Sequence, residues 1–499
     1  MFQPNCYKVK LAKLKSAACL KGVLLFFLLL STFLVQAQTS EVIPKGSKII
    51  NMGVTPQTVA NGLKPYGLVY ALLKANIPIK WVINQNKLKD GIDFSHNGVD
   101  YRGSAFIVQA SFLSPNIITL INTWTAKGVI VNTTTSNFTV NVTYTLKAAP
   151  FWVMDAQNGQ IAVGFMEAAE IPATAYIFKD PSQLGACDDI YVMPHADPTW
   201  ATHKNLYYWN LTFKGAFWGG CHAVSVLENT FGPDIVDPSI TRRLNFLMKD
   251  GTAGVDKNAV DFGSHADGTP PYSYRQPAHP VMQFMGTTDA AHQGGSEQVF
   301  MPYKPGGGWR PTTNISVYDP SQSDVPLKSD GEVAAVVFGR AYGDPNRGQV
   351  VYEGGHNIGG STPADVAAQR IYFNSSFVFA LDKVPTTTIN NVPNFMNQGI
   401  TYNNFTVTAT SPIPGNSFTY RWVSSIGGTF SNPTGTTTNF TAPIVSSPSV
   451  AVISVVLTDA CGRVSSESKG CYHYARGPAS RSFSRYYGRS QVRRKPYHI

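Results

Sequence analysis

Between Lys214 and Glu228 the chain runs through a short apolar segment, Ala216-Phe217-Trp218, breaks at Gly219-Gly220, presents Cys221, and resumes from Ala223 to Leu227 with helical apolar spacing. A strand, a tight elbow and a helix satisfy that pattern, and few other local structures do. Such an elbow holds its central residue in a strained conformation, so the positions two residues away must be small. Gly219 and Ala223 meet the condition. A thiol at that turn would sit at a helix N-terminus, where the helix dipole and free N–H groups favour thiolate and can hold an oxyanion. The same residues also read as a buried or disulfide-bonded cysteine in a Gly-rich bend.

Strands and helices alternate on either side of this elbow. Lys48 to Val54 reads as a buried strand, Lys64 to Ala75 carries helical spacing at Leu68, Val69, Leu72 and Leu73, and Ile79 to Ile83 is a second strand. A strand at Ala105 to Val108, a helix at Ile117 to Thr125 and a strand at Gly128 to Val131 repeat the unit, whose length suits a parallel crossover. Residues 132–147 alternate like a hairpin. Phe151 to Met154, Asp189 to Met193, Glu332 to Phe338 and Gly348 to Tyr352 are further strands. Helices are predicted at Ile161 to Ala169, Trp200 to Trp209 and Pro363 to Phe379, the last with Ser361 or Thr362 as its cap. The fold class that follows is α/β, a mainly parallel open sheet with helices on both faces. Residues 229–330 are irregular, with one convincing strand at Val281 to Phe284, and read as a lid or binding surface.

From Val384 to Asp459 the texture changes to short alternating runs separated by turn residues, the interval of a β-sandwich. The Tyr420-Arg421-Trp422 strand and the closing Thr458-Asp459-Ala460-Cys461-Gly462 resemble PKD or Ig-like modules of bacterial surface proteins. The predicted organisation is a leader over 1–37, an α/β domain over 38–383 with the loop-rich insertion at about 229–330, a sandwich over 384–465 and a basic, disordered tail over 466–499.

Charge sits at the ends. The first 37 residues hold five lysines and no acid, and the last thirty hold six arginines, one lysine and no acid. Ten net charges less these five and seven leave the body two charges negative, without the basic face that nucleic acid needs. The lysines precede an apolar run from Val23 to Val35 and then Gln36-Ala37, the three regions of a secretory signal cleaved after Ala37. That run is shorter than the roughly twenty residues that span a bilayer, and no later segment is long enough. The mature chain is therefore predicted to be exported, secreted or at the cell surface, without a transmembrane segment. Cys187, Cys221, Cys461 and Cys471 remain after cleavage and allow three pairings, of which Cys187–Cys221 with Cys461–Cys471 is the simplest.

Three segments follow strands, where open α/β sheets place their sites. They are Met193-Pro194-His195-Ala196-Asp197-Pro198, the elbow, and Tyr352-Glu353-Gly354-Gly355-His356. Their order and contexts resemble a class I glutamine amidotransferase-like domain, a flavodoxin-type α/β fold that includes ThuA-like proteins. The resemblance covers roughly residues 45–382. It implies Cys221 as nucleophile, His356 as its base and Glu353 as an orienting acid, with Trp218-Gly219-Gly220 matching the elbow approach. Two departures weigh against turnover. His195-Ala196-Asp197 stands where the family has glycines, and Ile358 stands where it has its acid. The alternative is a site that binds an extracellular ligand, glycan or peptide, through His195, Asp197, Gly219, Gly220 and His222 without turnover. His195, Asp197, His203, His222, His265, His279, His292 and His356 would make a His-rich face if their loops converged. They match neither HExxH nor paired CxxC, so no metal is predicted. Pro305-Gly306-Gly307-Gly308 lacks the Lys-Ser/Thr of a phosphate loop, and no cofactor is predicted.

Overall fold

An antiparallel sheet comes first along the chain. The computed structural model describes residues 39–249, 268–293, 308–322, 333–355 and 358–475. The first unit comprises β1 (Lys48–Ile50), α1 (Lys64–Lys74), β2 (Ile79–Val82), β3 (Ala105–Val108), α2 (Pro115–Ala126), β4 (Val131–Thr133) and β5 (Tyr144–Leu146). Its strand order is β4-β1-β3-β2-β5, and every pairing is antiparallel. The first four strands and two helices thus form a split βαββαβ unit. This corrects the parallel sheet expected here. Strands β1 and β2 do point the same way across helix α1, but β3 inserts between them. A strand–helix–strand pattern specifies direction and is silent on which strand lies alongside. Nor do residues 132–147 close a hairpin, since β5 pairs with β2.

Helix α1 buries most of its length, including Tyr66, Leu68, Val69, Leu72 and Leu73. At Gly67 an added Cβ would lie 2.0 Å from the Ala169 carbonyl oxygen and 2.4 Å from the Trp124 ring. The helix can approach its neighbours this closely only without a side chain there. Gly67→Ala is expected to destabilise the protein by at least about 2 kcal/mol, despite the roughly 1 kcal/mol helical preference of alanine over glycine. Urea denaturation would show it as a lower midpoint at unchanged slope.

The second sheet follows the predicted class more closely. Its elements are β6 (Trp152–Asp155), α3 (Gln160–Ala168), β7 (Tyr176–Lys179), β8 (Ile190–Met193), α4 (Trp200–Phe213), β9 (Ala216–Gly220), α5 (Ala223–Asn229), β10 (Ser273–Tyr274), β11 (Asn314–Asp319), β12 (Val333–Arg340), β13 (Gln349–Glu353) and α6 (Pro363–Ala380). The strands lie in the order β7-β6-β8-β9-β13-β12-β11-β10. The first five pair in parallel and the remainder antiparallel. Numbered along the chain, the parallel five read 2-1-3-4-5, one of the doubly wound orders. Alternate residues feed two cores. Trp152, Met154, Trp218 and Val351 pack with Phe165 of α3 and with α6, while Val153, Tyr191, Phe217 and Val350 pack with Leu206 and Trp209 of α4 and Leu227 of α5. The stretch expected to be an irregular insertion supplies β10 and β11 to the antiparallel edge. Val281 and Met282 lie in a 3₁₀ turn, not in the expected strand, because Pro280 opens that turn and the His279 ring caps it by accepting the Val281 N–H.

Helix α6 is buried from Val366 to Ala380 and shares one core with Trp81 and Phe106 of the first sheet and Trp152 and Trp218 of the second. Two of its polar residues are matched across the packing: Asn374 Oδ1 accepts from Tyr66 Oη at 2.6 Å, and Ser376 Oγ from Trp152 Nε1 at 2.9 Å. Thr362 and Asp365 form a reciprocal capping box at its start.

A sandwich of two four-stranded sheets ends the described chain. It comprises β14 (Thr386–Asn390), β15 (Phe395–Asn397), β16 (Thr401–Thr410), β17 (Phe418–Ser424), β18 (Thr429–Phe430), β19 (Thr437–Thr441), β20 (Ser449–Asp459) and β21 (Val464–Tyr474), ordered β14-β16-β19-β18 and β15-β21-β20-β17. Phe405, Trp422, Phe440 and Val455 fill it. Cys461, in the β20–β21 turn, is bonded to Cys187, with Cα atoms 5.1 Å apart, which overturns the simplest pairing. Proximity in sequence misled because this turn folds back onto the α/β part, where Arg463 pairs with Asp189 at 2.6 Å. Cys221 and Cys471 are buried thiols. Among the described residues no helix is long and apolar enough to cross a membrane. Residues 466–474, expected to belong to the disordered tail, instead lie in β21, which pairs antiparallel with β20 along its length, so the sandwich runs past the expected boundary at 465. The leader over 1–37 and residues 476–499 lie outside the described residues.

Candidate functional site

Strands β8 and β9 are parallel neighbours with Met193 opposite Gly219, so the segments that follow them leave the sheet side by side. Both glycines of the elbow sit close to their neighbours. A Cβ on Gly219 would meet Leu227 Cδ1 at 2.7 Å, and one on Gly220 would come within 3.0 Å of the Pro194 carbonyl oxygen. Cys221 then turns the chain at φ +44, a left-handed conformation that costs a non-glycine residue about 1–2 kcal/mol. Helix α5 starts two residues later, and Cys221 itself is only 1% exposed.

The neighbouring strand β6 braces this edge. The Asp155 carboxylate accepts the backbone N–H groups of Gln157 and Asn158 and the Tyr191 hydroxyl, the last at 2.6 Å. Burial, followed by the Asp155 charge, pushes the Tyr191 phenol far above its ordinary range. Asn158 Nδ2 in turn donates to the His195 carbonyl at 2.9 Å, fixing the loop after β8.

Three of the residues named from sequence meet on this platform. His222 Nδ1 lies 3.5 Å from Asp197 Oδ1, and the His195 and His222 rings are nearly perpendicular with centroids 5.5 Å apart. One potential ligand atom from each of His195, Asp197 and His222 falls within 4.8 Å of the other two. The Asp197 side chain is 79% exposed, so the cluster opens to solvent.

Glu353 is placed differently. It ends β13 fully buried; Oε2 accepts from Trp218 Nε1 at 3.0 Å, and Oε1 lies 3.2 Å from His292 Nε2. His292 Nδ1 is 3.0 Å from Thr288 Oγ1, so both ring nitrogens are engaged. Burial raises the Glu353 carboxyl above its usual range. Its partner is thus His292, while His356 lies outside the described residues. Sequence reasoning placed His292 only among the loop histidines, and its isolation in an irregular stretch gave no signal of this role. His203 and His279 serve local structure: His203 Nδ1 contacts the Thr199 backbone of its own helix start, and burial lowers the pKa of both rings.

No family model matches this sequence, and no curated protein does. Among solved structures the chain is similar to a nucleoside hydrolase-related hypothetical protein from Saccharophagus degradans that is associated with carbohydrate metabolism, at 14% identity and a TM-score of 0.16. The match covers 40% of this chain and 47% of that one, an overlap too slight to define a shared fold.

Proposed function

We propose that this is an exported binding protein whose ligand site is the edge of the parallel sheet around His195, Asp197 and His222, with Cys221 as its structural pivot. The convergence of those three side chains at the ends of adjacent parallel strands carries the reading. The disulfide suits an oxidising compartment, and the Lys-rich leader supplies a route to it. In the amidotransferase-like resemblance Glu353 would orient a catalytic histidine, whereas here Trp218 and His292 occupy both its oxygens.

One observation favours the second reading, a cysteine-dependent hydrolase or amidase: Cys221 remains a thiol in a left-handed elbow. Iodoacetamide labelling of the mature protein under non-reducing conditions, with peptide mapping, separates the two. In the binding reading Cys221 is alkylated only after denaturation, alongside Cys471, whose thiol burial pushes up to about 11. Rapid alkylation of native Cys221, with amide or ester hydrolysis lost in Cys221→Ser, would establish the hydrolase instead.

A further inference from the structure

We propose that His195, Asp197 and His222 bind a divalent transition-metal ion of the zinc class. This deepens the binding reading and rests on it, since it names what the sheet edge takes.

Two imidazoles and one carboxylate are a borderline-soft donor set, suited to zinc and its first-row neighbours and poorly suited to calcium or magnesium, which favour all-oxygen sites. Ligand atoms about 2.0–2.2 Å from a tetrahedral ion lie about 3.4 Å from one another. The 3.5 Å between His222 Nδ1 and Asp197 Oδ1 already matches that spacing, and every ligand-atom pair of the set lies within 4.8 Å. An ordinary His–Asp ion pair needs no second histidine. Here the two rings stand at 79° rather than stacked, and each comes from a different strand end.

The scaffold beneath the ligands is fixed before any ion arrives. Asn158 ties the His195 carbonyl, Gly220 lets the Pro194 carbonyl approach, and the turn at Cys221 delivers His222 to the same edge. Such pre-placement limits the ordering that binding must cause. Three protein ligands leave at least one position for water or for an oxygen donor of a bound molecule, as in open zinc sites. The exposure of Asp197 keeps that position accessible.

The test uses the tag-free mature chain, stripped with a chelator and titrated with zinc ions alone by calorimetry, with metal content read by mass spectrometry. One equivalent per chain is expected, with affinity at least about 100-fold weaker in His222→Ala and in His195→Ala. A melting temperature that rises with zinc in the wild type and not in the variants supports the same site. Cobalt ions provide a measurement on the unaltered chain: a visible spectrum of four-coordinate intensity, displaced by zinc, is expected even if a variant folds poorly. Substoichiometric uptake, or uptake unchanged in the His195→Ala/His222→Ala double variant, overturns the proposal. Failure to bind zinc while native Cys221 stays unlabelled removes the metal and leaves the binding reading standing. Zinc binding together with Cys221-dependent turnover leaves the metal and removes that reading.

Discussion

Replacing Cys187 and Cys461 with serine is expected to lower the unfolding free energy by about 5 kcal/mol. The bond links residues 274 apart, so the loop it closes in the unfolded chain is very long. Loop-closure entropy grows only with the logarithm of that length, which sets the figure near the top of the usual range. The contact it ties is also held by charge. Asp189 faces Arg463 at 2.6 Å and the Lys383 ammonium at 3.7 Å; burial lowers the Lys383 pKa to about 8 against the opposing pull of the Asp189 charge. The sandwich is therefore expected to stay docked in the double-serine variant at neutral pH while its urea midpoint falls. Non-reducing peptide mapping checks the premise, since it must recover the Cys187 and Cys461 peptides joined. A Cys187–Cys221 link, or a variant as stable as the parent, would contradict the structure at its most specific point.

How far these features can be read from sequence depends on whether the information is local. The runs Ile190 to Met193 and Ala216 to Trp218 announce themselves because strands buried on both faces are continuously apolar, and these apolar runs stop at Pro194 and Gly219. The doubly wound part and the elbow follow from them. The first sheet did not follow, because the insertion of β3 between β1 and β2 leaves no mark in either strand. Helix α6 was legible as a helix but not as the element buried between two sheets, since Gln369, Arg370, Asn374 and Ser376 look like a wet face. Tyr66, Trp152 and the Met52 carbonyl, which meet Asn374, Ser376 and Arg370, lie more than two hundred residues away. A separation of 274 residues likewise hides the Cys187–Cys461 pairing, and the attachment of His292 to Glu353, though nearer in sequence, also joins separate elements. His195, Asp197 and His222 could be named because they lie in segments that follow predicted strands; their convergence needed the adjacency of β8 and β9.

Glu353→Ala is expected to destabilise the protein by about 3–5 kcal/mol, because it strands two buried groups and opens a cavity. Trp218 Nε1 and His292 Nε2 would each lose the partner that satisfies it. Glu353→Gln should cost much less, since an amide oxygen still accepts from Trp218 and an amide N–H can meet a neutral His292 ring. The two variants also differ from the parent in pH dependence. Burial raises the Glu353 pKa in the folded state, so between about 4.5 and that raised value the native protein binds a proton that the unfolded chain does not. Stability from this group is therefore present at low pH and declines as pH rises through the window. Glutamine, which does not titrate, should remove that decline, and denaturation curves of the parent and Glu353→Gln across the window would display it. Trp218 immediately precedes Gly219, Gly220 and Cys221, so loss of its anchor should also loosen the elbow and speed iodoacetamide labelling of Cys221 in Glu353→Ala relative to Glu353→Gln. A Glu353→Ala protein as stable as the parent, with Cys221 equally protected, would mean that the buried carboxyl does not hold the elbow and would return Glu353 to the list of catalytic candidates.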